Sequence, residues 1–337
     1  MSCLFKSFYI LKALQITQYG ELKEGLAFME ADKPEIKKSD ILIEVKAAGL
    51  NPIDYKMVNG NLKDMVPLDL PSTIGFDLSG VVVEKGEDVS GYEIGDAVYA
   101  RVPQEQMGTV AEYVALEHKI ASKKPDNISF EEAAGLPLVG LTAIQALERV
   151  NLKKDDKVLI HAGSGGVGSF AIQYAKHKGA YVYTTTSTKN VDWVKELGAD
   201  RVIDYKNEDY QSVVSELDIV FDTLGGDYTL DAFSIIKDGG RVSSIASVPD
   251  EETAAMMGMK NYELPEKFTR LIKEHSANYK LTWMQPNGEQ LDAISQMVKE
   301  SILRPVVDKV YAFEDGIEAY THLATGRAKG KVIITLR

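Results

Sequence analysis

The chain has 337 residues and a mass of 37.1 kDa, which fits about two domains. With 45% of residues hydrophobic and 26% charged it has the balance of a soluble globular protein, not a disordered or fibrous one. Asp and Glu number 50 against 38 Lys and Arg, a net charge of -12 that repels a phosphate backbone and argues against a nucleic-acid partner. Cys3 is the sole cysteine, so the chain forms no intramolecular disulfide and no metal site of several thiolates. No apolar run approaches the ~20 residues of a membrane span, so no membrane partner is expected. Residues 1–11 cluster Phe5, Phe8, Tyr9, Ile10 and Leu11 around Lys6 but lack a long apolar core and a small-residue cleavage site. They are read as a dispensable extension, and the expected location is the cytoplasm.

From about residue 12 to 125 short strands alternate with turns. Residues 41–47 run apolar, 80–84 are β-branched, and 97–102 follow the turn Gly91-Tyr92-Glu93-Ile94-Gly95-Asp96. This predicts a β-rich barrel or sandwich. From about 128 to 285 strands alternate with helices: strands at 157–160, 180–185, 201–203, 217–221, 240–245 and 279–283, with helices at 167–178 and 191–197. The first of these helices shows the spacing Val167, Phe170, Ala171, Tyr174, Ala175. Such alternation predicts a parallel sheet covered by helices on both faces. A helix at 288–300 and strands near 305–311 and 331–336 follow. The expected organisation is an α/β chain with a β-rich domain of residues 1–127 and 287–337, interrupted by a doubly wound domain of residues 128–286.

Gly163-Ser164-Gly165-Gly166-Val167-Gly168 follows strand 157–160 and opens a helix, the context in which a GxGxxG pattern binds a dinucleotide. Gly163 permits a tight turn, Gly165 lets backbone approach a pyrophosphate, and Gly168 lets helix pack on sheet. The free N–H groups of the helix start then receive the anion. An NAD site wants an acid about 20 residues on. Here the stretch is Thr184-Thr185-Thr186-Ser187-Thr188-Lys189, whose hydroxyls and lysine suit a 2′-phosphate, so NADPH is expected. Asp222-Thr223-Leu224-Gly225-Gly226 and Ser243-Ser244-Ile245-Ala246 end later strands, where α/β sheets place ligands; Leu224, Ser244 and Ile245 are candidate contacts.

Taken together, the chain from about Lys12 onward resembles the medium-chain dehydrogenase/reductase superfamily, and within it the zinc-independent quinone and enone oxidoreductases. The resemblance rests on Ala47-Ala48-Gly49-Leu50-Asn51-Pro52-Ile53-Asp54, Gly75-Phe76-Asp77-Leu78-Ser79-Gly80-Val81-Val82, Gly91-Tyr92-Glu93-Ile94-Gly95-Asp96-Ala97-Val98-Tyr99, the glycine loop and Gly330-Lys331-Val332. It implies a GroES-like catalytic domain, a Rossmann domain, a cleft between them and a homodimer. Zinc-dependent relatives carry Cys where Asn51 stands and His-Glu where Phe76-Asp77 stand, so no metal is expected. The resemblance also implies that Asn51 lies near the nicotinamide, that Thr142 and Lys331 contact the cofactor, and that Tyr205 borders the 2′-phosphate. Gly163 departs from the Ala of many relatives and is expected to make the loop more permissive.

Without a metal, the hydride acceptor must be activated by its own conjugation, as in a quinone or an α,β-unsaturated carbonyl, and the protein supplies orientation and hydrogen bonds to the developing oxyanion. Tyr55 and Lys56 follow the Asn51–Asp54 motif. Tyr55 is either a proton donor or an apolar wall, and Lys56 either an oxyanion partner or a surface lysine. Asp54 is expected to order the loop, and His161 to be a core residue. Two other readings stand beside the reductase: a zinc-free carbonyl or alcohol dehydrogenase, and an NADPH-binding protein of weak or lost catalysis.

Overall fold

The computed structural model describes residues 10–336. Eight strands come first: β1 (Ile10–Ile16), β2 (Leu26–Asp32), β3 (Asp40–Gly49), β4 (Ser72–Thr73), β5 (Asp77–Lys85), β6 (Ala97–Arg101), β7 (Tyr113–Glu117) and β8 (Ala121–Lys123). Six more follow: β9 (Lys157–Ile160), β10 (Tyr181–Thr186), β11 (Arg201–Asp204), β12 (Leu217–Asp222), β13 (Ile236–Ser244) and β14 (Asn278–Leu281). The last two are β15 (Val307–Ala312) and β16 (Lys331–Thr335).

The chain divides into two units. Described residues up to Leu138, with Pro286–Glu300 and those from Pro305 onward, form the first; Val139–Gln285 with Ser301–Arg304 form the second. In the first, β2-β1-β4 make a small sheet and β15-β16-β3-β5-β6-β8 a larger one, with β7 also paired to β3. Alternate residues of β3, Ile41, Ile43 and Val45, enter one core with Leu78 and Val82 of β5 and Val98 and Ala100 of β6. That is the period of two expected of a sheet with one face on a core. Each of these Ile, Leu and Val side chains contributes about 1.5–3 kcal/mol on burial. This unit reaches past residue 127, because Ser79 Oγ donates to the Phe130 carbonyl (2.6 Å) and holds the helix Phe130–Ala134 on the sheet. The chain end enters the same sheet through β16, antiparallel to β3.

One row crosses four strands of the larger sheet: Ile333 faces Gly49, Gly49 faces Asp77, and Asp77 faces Arg101. The candidate polar residues of this unit gather at this end.

The second unit is a parallel sheet in the order β11-β10-β9-β12-β13-β14. The chain winds outward from β9 to β11, then restarts beside β9 at β12. The β9/β12 junction is therefore the switch point where open α/β sheets bind ligands. Leu159, Val220, Val242, Phe233, Phe268 and Tyr279 fill one core of this unit.

The expectation that residues 1–11 are dispensable needs correction at its end. Leu11 is buried on β1 opposite Ala31, so the strand already needs it. Residues 1–9 lie outside the described residues.

Candidate dinucleotide loop and buried polar cluster

The glycine loop joins β9 to the helix Gly166–His177, whose first residue is preceded by Gly165 as an N-cap without a side-chain cap. The Gly166, Val167 and Gly168 N–H groups precede the first intrahelical bond, from Ser169 N–H to the Gly165 carbonyl, and so remain for an outside acceptor. The three glycines of the pattern differ in what demands them. A Cβ on Gly168 would lie 2.3 Å from the Ala162 carbonyl oxygen, and one on Gly163 2.2 Å from Thr184 Oγ1. A Cβ at Gly163 would displace the Thr184 and Ile172 side chains, whereas at Gly168 it would meet backbone, and the turn's positive φ, 51°, falls on Ala162. Gly165 has φ −82° and would bring a Cβ no nearer than 3.4 Å to any atom. Neither backbone angle nor packing explains it; open space above a helix N-terminus does, and a pyrophosphate fits there. Ser164 through Val167 are half-buried along this loop.

At the end of β10, Thr186 is buried with its Oγ1 unpartnered, and Ser187 Oγ accepts from Asn190 Nδ2 (3.2 Å). Lys189 is exposed, and Tyr205 is brought alongside by its N–H bond to the Thr186 carbonyl (3.1 Å). Lys206, which sequence reading missed, lies over the Tyr205 ring at 5.3 Å. An acid does stand on the neighbouring strand: Asp204. Its oxygens are occupied by the Lys206 N–H (3.0 Å) and the Asn207 amide (2.6 Å). With the Thr188 hydroxyl as the leading cause, these bonds hold its pKa below the ordinary range.

A second missed residue is Asp222, wholly buried at the end of β12. Its Oδ1 accepts the Leu224 and Gly225 N–H groups (both 2.9 Å), and its Oδ2 the hydroxyls of Thr229 (2.6 Å) and Ser244 (2.8 Å). It ties together the two strand-end segments singled out from sequence. The Ser244 hydroxyl is spent inside the fold, whereas Leu224 is exposed and Ile245 half-buried. Thr142 is buried in the helix Pro137–Arg149. His161 is buried edge-on to Tyr210 and Tyr228, and burial pulls its pKa down to about 4, so the ring is neutral and part of the core.

In the first unit, Asn51 precedes the helix Pro52–Val58, and its N–H donates to Asp54 Oδ2 (2.9 Å) in a capping box, so Asp54, expected to order a loop, caps a helix. Asn51 Nδ2 donates to Asp77 Oδ2 (3.0 Å) and to the Gly49 carbonyl (3.3 Å), while Oδ1 accepts from Lys331 Nζ. Lys331 Nζ also donates to Asp77 Oδ2 (3.2 Å), and Leu138 N–H to Asp77 Oδ1 (2.9 Å). The Tyr320 hydroxyl donates to Asp54 Oδ2 (3.2 Å). All these side chains are buried. Burial lifts Asp54 to about 7 and holds Asp77 above its ordinary range, against the opposing pull of the Lys331 ammonium on both. Both ends of the Asn51 amide are therefore engaged within the unit, its oxygen by Lys331. Tyr55 is half-buried against the core and Lys56 exposed, and among the described residues neither side chain has a hydrogen-bond partner.

Two family models match: the alcohol dehydrogenase GroES-like domain over residues 37–126, and the zinc-binding dehydrogenase over residues 197–334. The chain is 34% identical over 334 residues to 2-methylene-furan-3-one reductase of Solanum lycopersicum, covering 96% of this chain and 79% of that protein. It is 35% identical, with the same coverage, to the chloroplastic NADPH-dependent alkenal/one oxidoreductase of Arabidopsis thaliana. The solved quinone oxidoreductase of Coxiella burnetii superposes with a TM-score of 0.86 at 35% identity, over 97% of this chain and 100% of that one. The chain belongs to the medium-chain dehydrogenase/reductase superfamily. Its relatives there include proteins named as quinone and alkenal/one oxidoreductases.

The zinc in one matching model's description does not fit these residues. Zinc takes thiolate, imidazole or free carboxylate donors. Asn51 and Phe76 offer neither of the first two, both Asp77 oxygens are occupied, and an ammonium already lies between Asn51 and Asp77. Among the described residues, no group of three His, Cys, Asp or Glu is placed to hold a metal.

Proposed function

We propose that the chain is an NADPH-dependent oxidoreductase that passes hydride to a quinone or to the β-carbon of an α,β-unsaturated carbonyl. The observation that carries this reading is the Lys331 ammonium, held by Asn51 and Asp77 at the positions that would otherwise bind a metal. A fixed ammonium is a weaker polariser than a metal ion, so the acceptor must spread the arriving charge itself. Conjugated carbonyls and quinones do so, and relatives named as alkenal/one and methylene-furanone reductases support the assignment. The dinucleotide supplies the hydride. The Gly166–Gly168 N–H groups bind its pyrophosphate, and Ser187, Lys189 and Tyr205, with Lys206, surround its 2′-phosphate. The half-buried Tyr55 hydroxyl is the candidate proton donor to the enolate. A homodimer belongs to the same reading, supported by β14 at the edge of its sheet with one side unpaired among the described residues.

The test is transfer from NADPH deuterated at C4 to a small enone, followed by NMR of the product. Deuterium on the β-carbon is expected. Deuterium on the carbonyl carbon would replace this reading with a carbonyl reductase, and cofactor binding without turnover of any quinone or enone would replace it with a binding protein.

A further inference from the structure

Arg101 closes β6 directly opposite Asp77, on the row that carries the polar cluster, and facing residues of an antiparallel pair project from the same side of the sheet. It is 6% exposed and lies over the Phe76 ring at 5.0 Å. Its Nε is sealed from water without a hydrogen-bond partner, and no described residue hydrogen-bonds or ion-pairs with its guanidinium. The other arginines least open to solvent behave differently. Arg149 meets Asp250, Glu252 and the Leu281 carbonyl, and Arg241 meets Asp156 and the Val150 and Asn151 carbonyls.

A guanidinium is charged at any ordinary pH, presents five donors in a rigid plane, and is costly to bury without a counter-charge; contact with one ring face recovers only a part of that cost. The carboxylate opposite it is engaged elsewhere, since both Asp77 oxygens are taken. A second unpartnered group stands beside the backbone just before Phe76. Thr109 Oγ1 is buried without a partner and lies where a Cβ on Gly75, the residue before Phe76, would come within 2.5 Å. Lys331 and Arg101 bring two positive charges to a cluster whose Asp54 is inclined by burial to keep its proton, and the nearby Glu105 acts on Arg101 through its charge without a hydrogen bond to it.

We infer that Arg101 reads the substrate, pairing with a carboxylate borne by the conjugated carbonyl, so that this chain prefers acidic enones or quinones over neutral ones. This rests on the reductase reading above. A planar guanidinium matches the two oxygens of a carboxylate. A transient enolate would leave Arg101 unpaired both before and after substrate binds, whereas a standing carboxylate neutralises it throughout the bound state.

The experiment compares two enones of equal length, one ending in a carboxylate and one in its methyl ester, with the full chain and NADPH. The wild type should favour the acid by roughly tenfold or more in kcat/KM. Arg101→Gln should lose about 10–150-fold on the acid, the span of one charge-assisted hydrogen bond, mostly through KM, and change little on the ester. Arg101→Lys should retain part of the preference. Equal losses on both substrates, or no preference in the wild type, would overturn the inference while leaving the reductase intact. If neither enone is reduced, the reductase reading fails on its own. The saturated carboxylic acid then decides the role of Arg101: it should raise the Tm of the wild type and not of Arg101→Gln, and equal or absent shifts overturn it. Should Arg101→Gln not fold, Arg101→Lys carries the same comparison.

Discussion

The Lys331 ammonium lies 3.2 Å from the Asp77 carboxylate, and both side chains are almost wholly withdrawn from water. Removing one partner strands the other charge, a loss of about 3–5 kcal/mol in buried pairs. Lys331→Met should therefore lower stability by that order, measured by denaturant unfolding followed by circular dichroism. Pairing it with Asp77→Asn should recover most of the loss. A single variant as stable as the wild type would mean that the pair is not held as described.

Asp54 gives the first unit a pH dependence of definite sign. Its folded pKa, about 7, lies above the unfolded value near 3.8, so the folded chain keeps a proton that the unfolded chain has released across that window. Its contribution to stability is complete below the lower value and is lost as pH rises through the upper one. Asp54→Asn keeps an oxygen for the Asn51 N–H but no titration. Stability of the wild type should fall relative to this variant as pH rises from about 4 to about 7. Asp77 is raised as well, and because its charge helps raise Asp54 the comparison reads the coupled pair, with the same sign. Parallel stability curves would remove Asp54 from the account.

The glycines of the loop separate folding from binding. Gly168→Ala forces a Cβ against the Ala162 carbonyl and should cost about 1–3 kcal/mol, as overpacking does. Gly165→Ala meets no such contact and should melt like the wild type, yet lose affinity for NADPH, read by cofactor fluorescence. Unchanged affinity in Gly165→Ala would place the pyrophosphate elsewhere.

Lys189→Ala should weaken NADPH by about 10–150-fold and leave NADH nearly unaffected, as expected of one charge-assisted bond to a 2′-phosphate. Lys206→Ala tests the neighbouring cation in the same titration. Equal weakening of both cofactors would show that Lys189 does not read the phosphate.

Tyr55→Phe distinguishes donor from wall. Loss of a preorganised donor typically lowers rate by about 10²–10³. A loss below about tenfold, ~1.4 kcal/mol, would leave bulk solvent as the proton source.

What the sequence disclosed follows from local pattern. Apolar and β-branched runs marked β3 and β5, the succession of strands and helices marked β12, and the glycine loop stood where strand met helix. The helix Pro52–Val58 stayed hidden because Asn51-Pro52-Ile53-Asp54 reads equally as a turn, and only the bond from Asn51 N–H to Asp54 distinguishes the two. Asp222 and Arg101 each end an apolar strand, where a charged residue ordinarily marks the exit to solvent. Their roles depend on partners, or on the lack of them, that no neighbouring residue announces. Lys331 and Asn51 stand 280 positions apart, so family resemblance singled out each as a cofactor contact but spacing could not pair them with each other.

That separation bears on how the molecule is made. The second unit is drawn almost entirely from one continuous stretch, Val139–Gln285, and can close while synthesis continues. The first unit begins earlier yet finishes later, because β16 follows the whole of the second unit's main stretch in the chain and brings with it the counter-charge for Asp77. Until then a nascent chain holds two buried-site carboxylates, Asp54 and Asp77, with no ammonium to face them. A chain cut short before Lys331 would keep the whole glycine loop and lack the cluster. It would hold a finished second unit and a first unit still missing its closing strand, which makes it a natural target for the proteases that clear unfinished proteins.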